Sequence, residues 1–122
     1  MASKSIGEFS LKSITSTLTP GPGGSVLNTV NWEGTATGFG TVFLTSTFVG
    51  GNKGGTFSLC MTSFPDNGDG IDGNGAGRFE STGKNHWRTQ TVTTLSDGRR
   101  VSGEGELDLA TRTWKGKISE LS

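Results

Sequence analysis

The chain has 122 residues, 30% of them apolar, with 21 glycines and 11 basic side chains balanced by 11 acidic ones. That length makes one domain, residues 1–122, large enough to bury a core. The balanced charge supplies no long-range field to gather nucleic acid or an anionic membrane, so neither is an expected partner, and a single cysteine excludes an internal disulfide.

The first residues, MASKSIGEFSLKSI, lack the apolar core of a signal peptide, and no run reaches the ~20 apolar residues of a membrane-spanning helix. The expected location is cytoplasmic. A first strand is predicted over 6–18, ending at the turn residues TPGPGGS of 19–25. Strands over 25–37 and 39–49 follow, rich in Thr, Val and Phe, and GGNKGG at 50–55 ends the second of them. The strand over 56–64 carries Cys60, expected as a small core or wall residue. PDNGDG at 65–70 separates it from a glycine-alternating strand over 71–81, and STGKN at 81–85 leads to the strands over 85–95, 99–109 and 113–121. No window combines helical periodicity with caps. Eight short strands joined by turn residues indicate an all-β fold, a single antiparallel up-and-down barrel, with a β-sandwich as the alternative; closure removes exposed edges and favours the barrel.

Register can be tested in the last third. If Ser96-Asp97-Gly98 is a three-residue turn with Gly98 left-handed, Leu95 opposes Arg99, Arg88 opposes Glu106 and His86 opposes Asp108, whereas a two-residue Asp97-Gly98 turn, equally good locally, would set Arg88 against Leu107 and Trp87 against Asp108; the charges favour the first. Reading Thr111-Arg112 as a two-residue turn then pairs Leu109 with Trp114, Asp108 with Lys115 and Glu106 with Lys117. The outer face so drawn is a ladder of opposite charges, each pair worth roughly 0.2–1 kcal/mol. The inner face holds Trp87, Thr89, Thr91, Leu107, Leu109, Trp114 and Ile118. His86, the single histidine, therefore stands outside beside Asp108, a solvated group and not a catalytic one.

Continuing the alternation sets Phe79 opposite Trp87 and turns Gly73, Gly75, Gly77, Gly103, Gly105 and Gly116 inward, to receive bulky rings or to leave ligand space. Val26, Asn28, Val30, Trp32, Ala36, Phe57, Leu59 and Met61 form further inward sets. An interior with aromatic walls and few polar groups is the usual form of a small-molecule site. Its expected walls are Trp32, Trp87, Trp114 and Phe79, and its orienting groups Asn28, Thr91 and Glu120. The bland reading of the three tryptophans is that they fill the core.

Other motifs fail on their chemistry. PDNGDGIDGNG has Asn67, Asp69 and Gly70 at early calcium-loop spacing, but Pro65 stands at the first ligand position and Ala76 at the twelfth. One cysteine and one histidine do not build a zinc site. GTATGFG and GNGAG precede no helix, so they have no N-terminus with which to cradle a phosphate. No metal or cofactor is expected.

The glycine- and threonine-rich meander GTATGFGTVFLTSTF (34–48) and the last strand WKGKISEL (114–121) resemble, in strand rhythm across most of the chain, small bacterial barrels of the allene-oxide-cyclase-like and lipocalin-like group. The resemblance implies an apolar cavity, a ligand or a flexible substrate folded within it, and association into a homodimer. Three functions follow: a barrel binding a small apolar or aromatic molecule; a cofactor-free isomerase or cyclase using Glu120 or Cys60; and a filled structural barrel. Whether the protein is an enzyme stays open at this point.

Overall fold

The computed structural model describes residues 3–121, arranged as eight antiparallel strands closed into an up-and-down barrel. In chain order these are β1 (Ser3–Pro20), β2 (Val26–Ala36), β3 (Gly40–Gly51), β4 (Gly54–Phe64), β5 (Ile71–Gly83), β6 (His86–Leu95), β7 (Arg100–Asp108) and β8 (Thr113–Leu121). A single 3₁₀ turn, Pro22–Gly24, lies between β1 and β2. Each strand pairs with its neighbours in sequence, and β1 pairs with β8 to close the cylinder. All eight strands therefore have both edges occupied, and the row of unpaired backbone groups that an open sheet exposes is absent along the paired lengths.

The hairpin between β6 and β7 has the register that its turn chemistry dictates. Gly98 takes φ +93°, its N–H donates to Leu95 O at 3.0 Å, and the Leu95 N–H donates to Arg99 O at 2.9 Å. His86 opposes Asp108 and Arg88 opposes Glu106, as the charge pattern requires. The next hairpin differs from expectation by two residues. Leu109–Arg112 is a four-residue connection, in which Asp108 Oδ1 accepts from the Ala110 N–H at 2.9 Å and Arg112 takes φ +56°. Trp114 consequently faces Leu107 and Lys115 faces Glu106. A shift of two preserves the inward phase, so Trp114 and Ile118 still point in, whereas Leu109 leaves the interior and is 53% exposed. Phe79 likewise opposes Thr89, with Trp87 opposite Ser81: Lys84-Asn85 is a two-residue turn that pairs Gly83 with His86, and the irregularity between Ser81 and Gly83 then shifts the register by one.

Across the waist of the barrel lies an aromatic layer. Trp114, 2% exposed, has the rings of Trp32, Phe57, Phe9 and Phe48 at centroid distances of 5.4, 5.5, 6.0 and 6.3 Å. Both buried indoles are anchored: Trp114 Nε1 donates to Thr89 Oγ1 at 3.0 Å and Trp32 Nε1 to Ser46 Oγ at 2.9 Å. Inward glycines make room for these rings. A Cβ on Gly77 would lie 2.7 Å from Phe57 Cζ, and one on Gly105 would lie 2.8 Å from Phe9 Cζ and 3.2 Å from Trp114 Nε1. Of the two roles open to inward glycines, the structure shows close packing.

β1 outruns its partner on one side. β8 covers it from Ser3 to Lys12, while Thr15–Pro20 pairs with β2 alone. The bulge between Ser13 and Thr15 resets the phase of this β1–β2 arm, whose β2 side stays paired with β3 from Asn28 onward, so that only Thr19–Pro20 with Val26–Leu27 is two-stranded; Leu18 and Val26 are exposed at 68% and 49%.

Candidate functional site

The aromatic layer separates two spaces of unequal size. The end that carries the β1–β2, β3–β4, β5–β6 and β7–β8 turns opens into a cleft of about 620 Å³. Trp32 and Phe48 lie at its inner side, Phe79, Trp87 and Leu107 along its wall, and Leu18, Val26 and Leu109 at its rim. The other end holds a chamber of about 90 Å³, lined mainly by Phe39, Val42, Leu59, Leu95, Val101 and Ile118. Small-molecule sites commonly run from about 300 to 1,000 Å³, a range only the first space reaches.

Trp87 is held at the mouth of the cleft by donating Nε1 to Asn52 O, in the β3–β4 turn, at 2.7 Å. Phe48 and Phe79 meet edge to face at 5.4 Å between centroids, a mutually favourable geometry for the ring quadrupoles. Asn28 accepts from Ser16 Oγ at 2.7 Å through Oδ1, which fixes the amide and leaves its NH₂ group free of any hydrogen bond among the described residues. Two charged side chains reach the cleft, Asp108 and Arg112. Asp108 is already occupied in holding the β7–β8 turn through Ala110.

The seven residues expected to form one site are divided between the two sides of the layer. Trp32, Trp87, Phe79 and Asn28 share the wide cleft. Trp114 is the centre of the partition and Thr91 lines the small chamber beyond it. Glu120 lies at the opposite end, 43% exposed, with Oε1 3.5 Å from Arg99 Nη1. Arg99 is also held by Asp97 Oδ2, which accepts from Nε at 2.9 Å, and its guanidinium stands 5.3 Å above the Phe39 ring. Cys60, expected in the core or a wall, is instead exposed, because its strand phase places it between Thr45 and Asn74 on the outer surface.

The outer face at His86 is polar. Its Nδ1 is 2.8 Å from Thr82 Oγ1 and its Nε2 is 3.9 Å from Glu106 Oε2. Arg88, although opposite Glu106 in register, donates to Glu80 on the other side; that hydrogen bond holds the Glu80 carboxyl below its ordinary range. Among the described residues no three of His, Cys, Asp and Glu converge closely enough to hold a metal ion.

The site residues that alternation did not mark are Phe48, Leu18 and Arg112. Phe48 follows the run Val42-Phe43-Leu44, which offers apolar groups to both faces and hides the strand's phase. Leu18 and Arg112 reach the cleft only through the bulge in β1 and the four-residue β7–β8 connection. No family model, curated protein or solved structure matches the chain. Function has to be read from the chemistry of the site.

Proposed function

We propose that the protein binds a small apolar or aromatic molecule in the wide cleft, between the Trp32–Phe48 floor and the Trp87–Phe79 wall. The observation that carries this reading is a space of about 620 Å³ that is aromatic at its base and has the Asn28 amide, already oriented by Ser16, as a hydrogen-bonding group beside it. Burial of the ligand's apolar surface supplies the affinity, at about 25 cal/mol per Å² removed from water, and a hydrogen bond from Asn28 Nδ2 selects a ligand with one acceptor. Binding accounts for the cleft better than isomerisation or cyclisation does. The candidate acid Glu120 lies beyond the aromatic layer in an ion pair with Arg99, the Cys60 thiol is outside the barrel, and Asp108 is engaged with a backbone N–H.

The test is a titration with 1-naphthol, followed by tryptophan fluorescence. Saturable binding is expected, weakened about tenfold or more by Trp87→Ala or Phe79→Ala through loss of aromatic contact. Thr91→Val and Glu120→Gln, on the far side of the layer, should leave the affinity within about twofold. Absence of saturable binding, or equal sensitivity to Thr91→Val and Trp87→Ala, refutes the assignment.

A further inference from the structure

Balanced overall charge conceals a segregation that only the folded barrel displays. The turns at the cleft end, residues 21–25, 52–53, 84–85 and 109–112, contain Lys53, Lys84 and Arg112 and no acidic residue, with Asp108 flanking the last of them and accepting from the Ala110 N–H. The turns at the opposite end, 37–39, 65–70 and 96–99, contain Asp66, Asp69 and Asp97, with Arg99 as their one base. Arg99 is held between Asp97 and Glu120, whereas none of Lys53, Lys84 and Arg112 has a carboxylate within ion-pairing distance among the described residues. All three are exposed.

At the same end the rim is apolar. Leu18, Val26 and Leu109 are 68%, 49% and 53% exposed, on the β1–β2 arm and on the neighbouring β7–β8 turn, which the Ser13 N–H joins to β1 by donating to Arg112 O at 3.1 Å. The arm itself carries no charge from Ser13 to Asn31. Exposed apolar side chains beside unpaired cations match the two layers of an anionic bilayer surface, acyl chains below and negative headgroups above. A folded protein partner would need a complementary shape, while a bilayer needs only that the tips of the arm and turns reach it together.

We infer that the cleft end docks on anionic lipid surfaces, with Leu18, Val26 and Leu109 entering the interface and Lys53, Lys84 and Arg112 among the headgroups. The membrane thereby faces the cleft opening, and an apolar ligand dissolved in the bilayer passes to the protein without crossing bulk water. That transfer rests on the proposed cleft function; the docking does not.

Cosedimentation of the full chain with vesicles of mixed phosphatidylglycerol and phosphatidylcholine tests it, with pure phosphatidylcholine vesicles as the comparison. Binding is expected for the anionic vesicles, and it should fall steeply as salt shortens the Debye length to about 8 Å and below. Each cation near an anionic surface contributes about fivefold to partitioning, so Lys53→Gln/Lys84→Gln should weaken it about 25-fold, with near-ultraviolet circular dichroism unchanged. Leu18→Ser should weaken binding at every salt concentration. Failure to bind anionic vesicles at low salt, or equal binding to both vesicle types, overturns the inference. So does a dimer that Lys53→Gln/Lys84→Gln dissociates, because a second copy would then cover this end. In the same samples, naphthol binding should be unchanged by Lys53→Gln/Lys84→Gln. If vesicles bind and naphthol does not, the docking stands and the cleft assignment falls; the converse leaves the cleft and removes the docking.

Discussion

Replacing Thr89 by Val tests whether the aromatic layer is fixed in place by the polar anchor at its centre. Thr89 is 1% exposed and its hydroxyl accepts from Trp114 Nε1, at the centre of the layer. Valine keeps the side-chain shape but removes the acceptor, so the indole N–H stays buried without a partner, at a cost of about 1–3 kcal/mol. For 122 residues the unfolding entropy is about 0.26 kcal/mol per kelvin, so a 2 kcal/mol loss lowers Tm by roughly 8 °C. Urea unfolding should give the same change as a lower midpoint at an unchanged slope. Trp114→Phe removes the donor and, by leaving a cavity, is itself destabilising. In that background Thr89→Val should be near neutral, because neither polar partner is left alone, which makes a coupling of about 1–3 kcal/mol across the cycle. A Thr89→Val variant as stable as the parent protein, or a coupling near zero, refutes the anchored layer and with it the partition between cleft and chamber.

Gly105→Ala should destabilise by about 1–3 kcal/mol in urea unfolding, since its Cβ would press on the Lys115 carbonyl oxygen and on the Phe9 and Trp114 rings, whereas Gly98→Ala meets no neighbour within 4 Å and loses only the freedom of a positive φ, about 1 kcal/mol. Asp97 is held below the usual aspartate range, first by the Arg99 backbone N–H and then by the Arg99 guanidinium. A carboxylate depressed in the folded state contributes stability above its unfolded value of about 3.9 and loses that contribution as pH falls through the folded value. The stability difference between parent and Asp97→Asn should therefore be constant near neutrality and shrink progressively as pH falls below about 4, and a difference that stays constant or grows as the pH is lowered further would contradict it. Cys60 should react with a water-soluble disulfide reagent without denaturant, because its strand phase turns it outward, and protection in the native state would place it in a wall after all.

The parts of the fold legible in sequence are those with a turn type and a charge pattern that agree. Ser96-Asp97-Gly98 read together with the facing charges set the β6–β7 register residue by residue, and the inward phase of Trp87 followed from it. The β7–β8 register was not legible, because charges spaced at every second position, Glu104, Glu106 and Asp108 against Lys115 and Lys117, pair equally well after a slip of two. Only a slip of one reverses the faces and would have been detected. Height along the barrel axis was hidden for a related reason. Alternation says that Thr91 and Trp87 point inward, but it does not say that the Trp114 layer lies between the spaces they line. Glu120 shares the inward phase and still emerges at the far end beside Arg99. The segregated cations were equally invisible in the net charge, since strand order decides which turns share an end.

The most direct test of the central claim, that an apolar molecule enters the cleft from the Trp87 end and stops at the aromatic layer, is a ¹H–¹⁵N correlation spectrum recorded during naphthol titration. Its three tryptophan indole N–H signals report three depths. The Trp87 and Trp32 indoles and the Asn28 side-chain amide should move together and saturate, while the amides of Thr91 and Glu120 stay in place. Shifts centred on Thr91 and Glu120, with the Trp87 indole unmoved, would contradict the account.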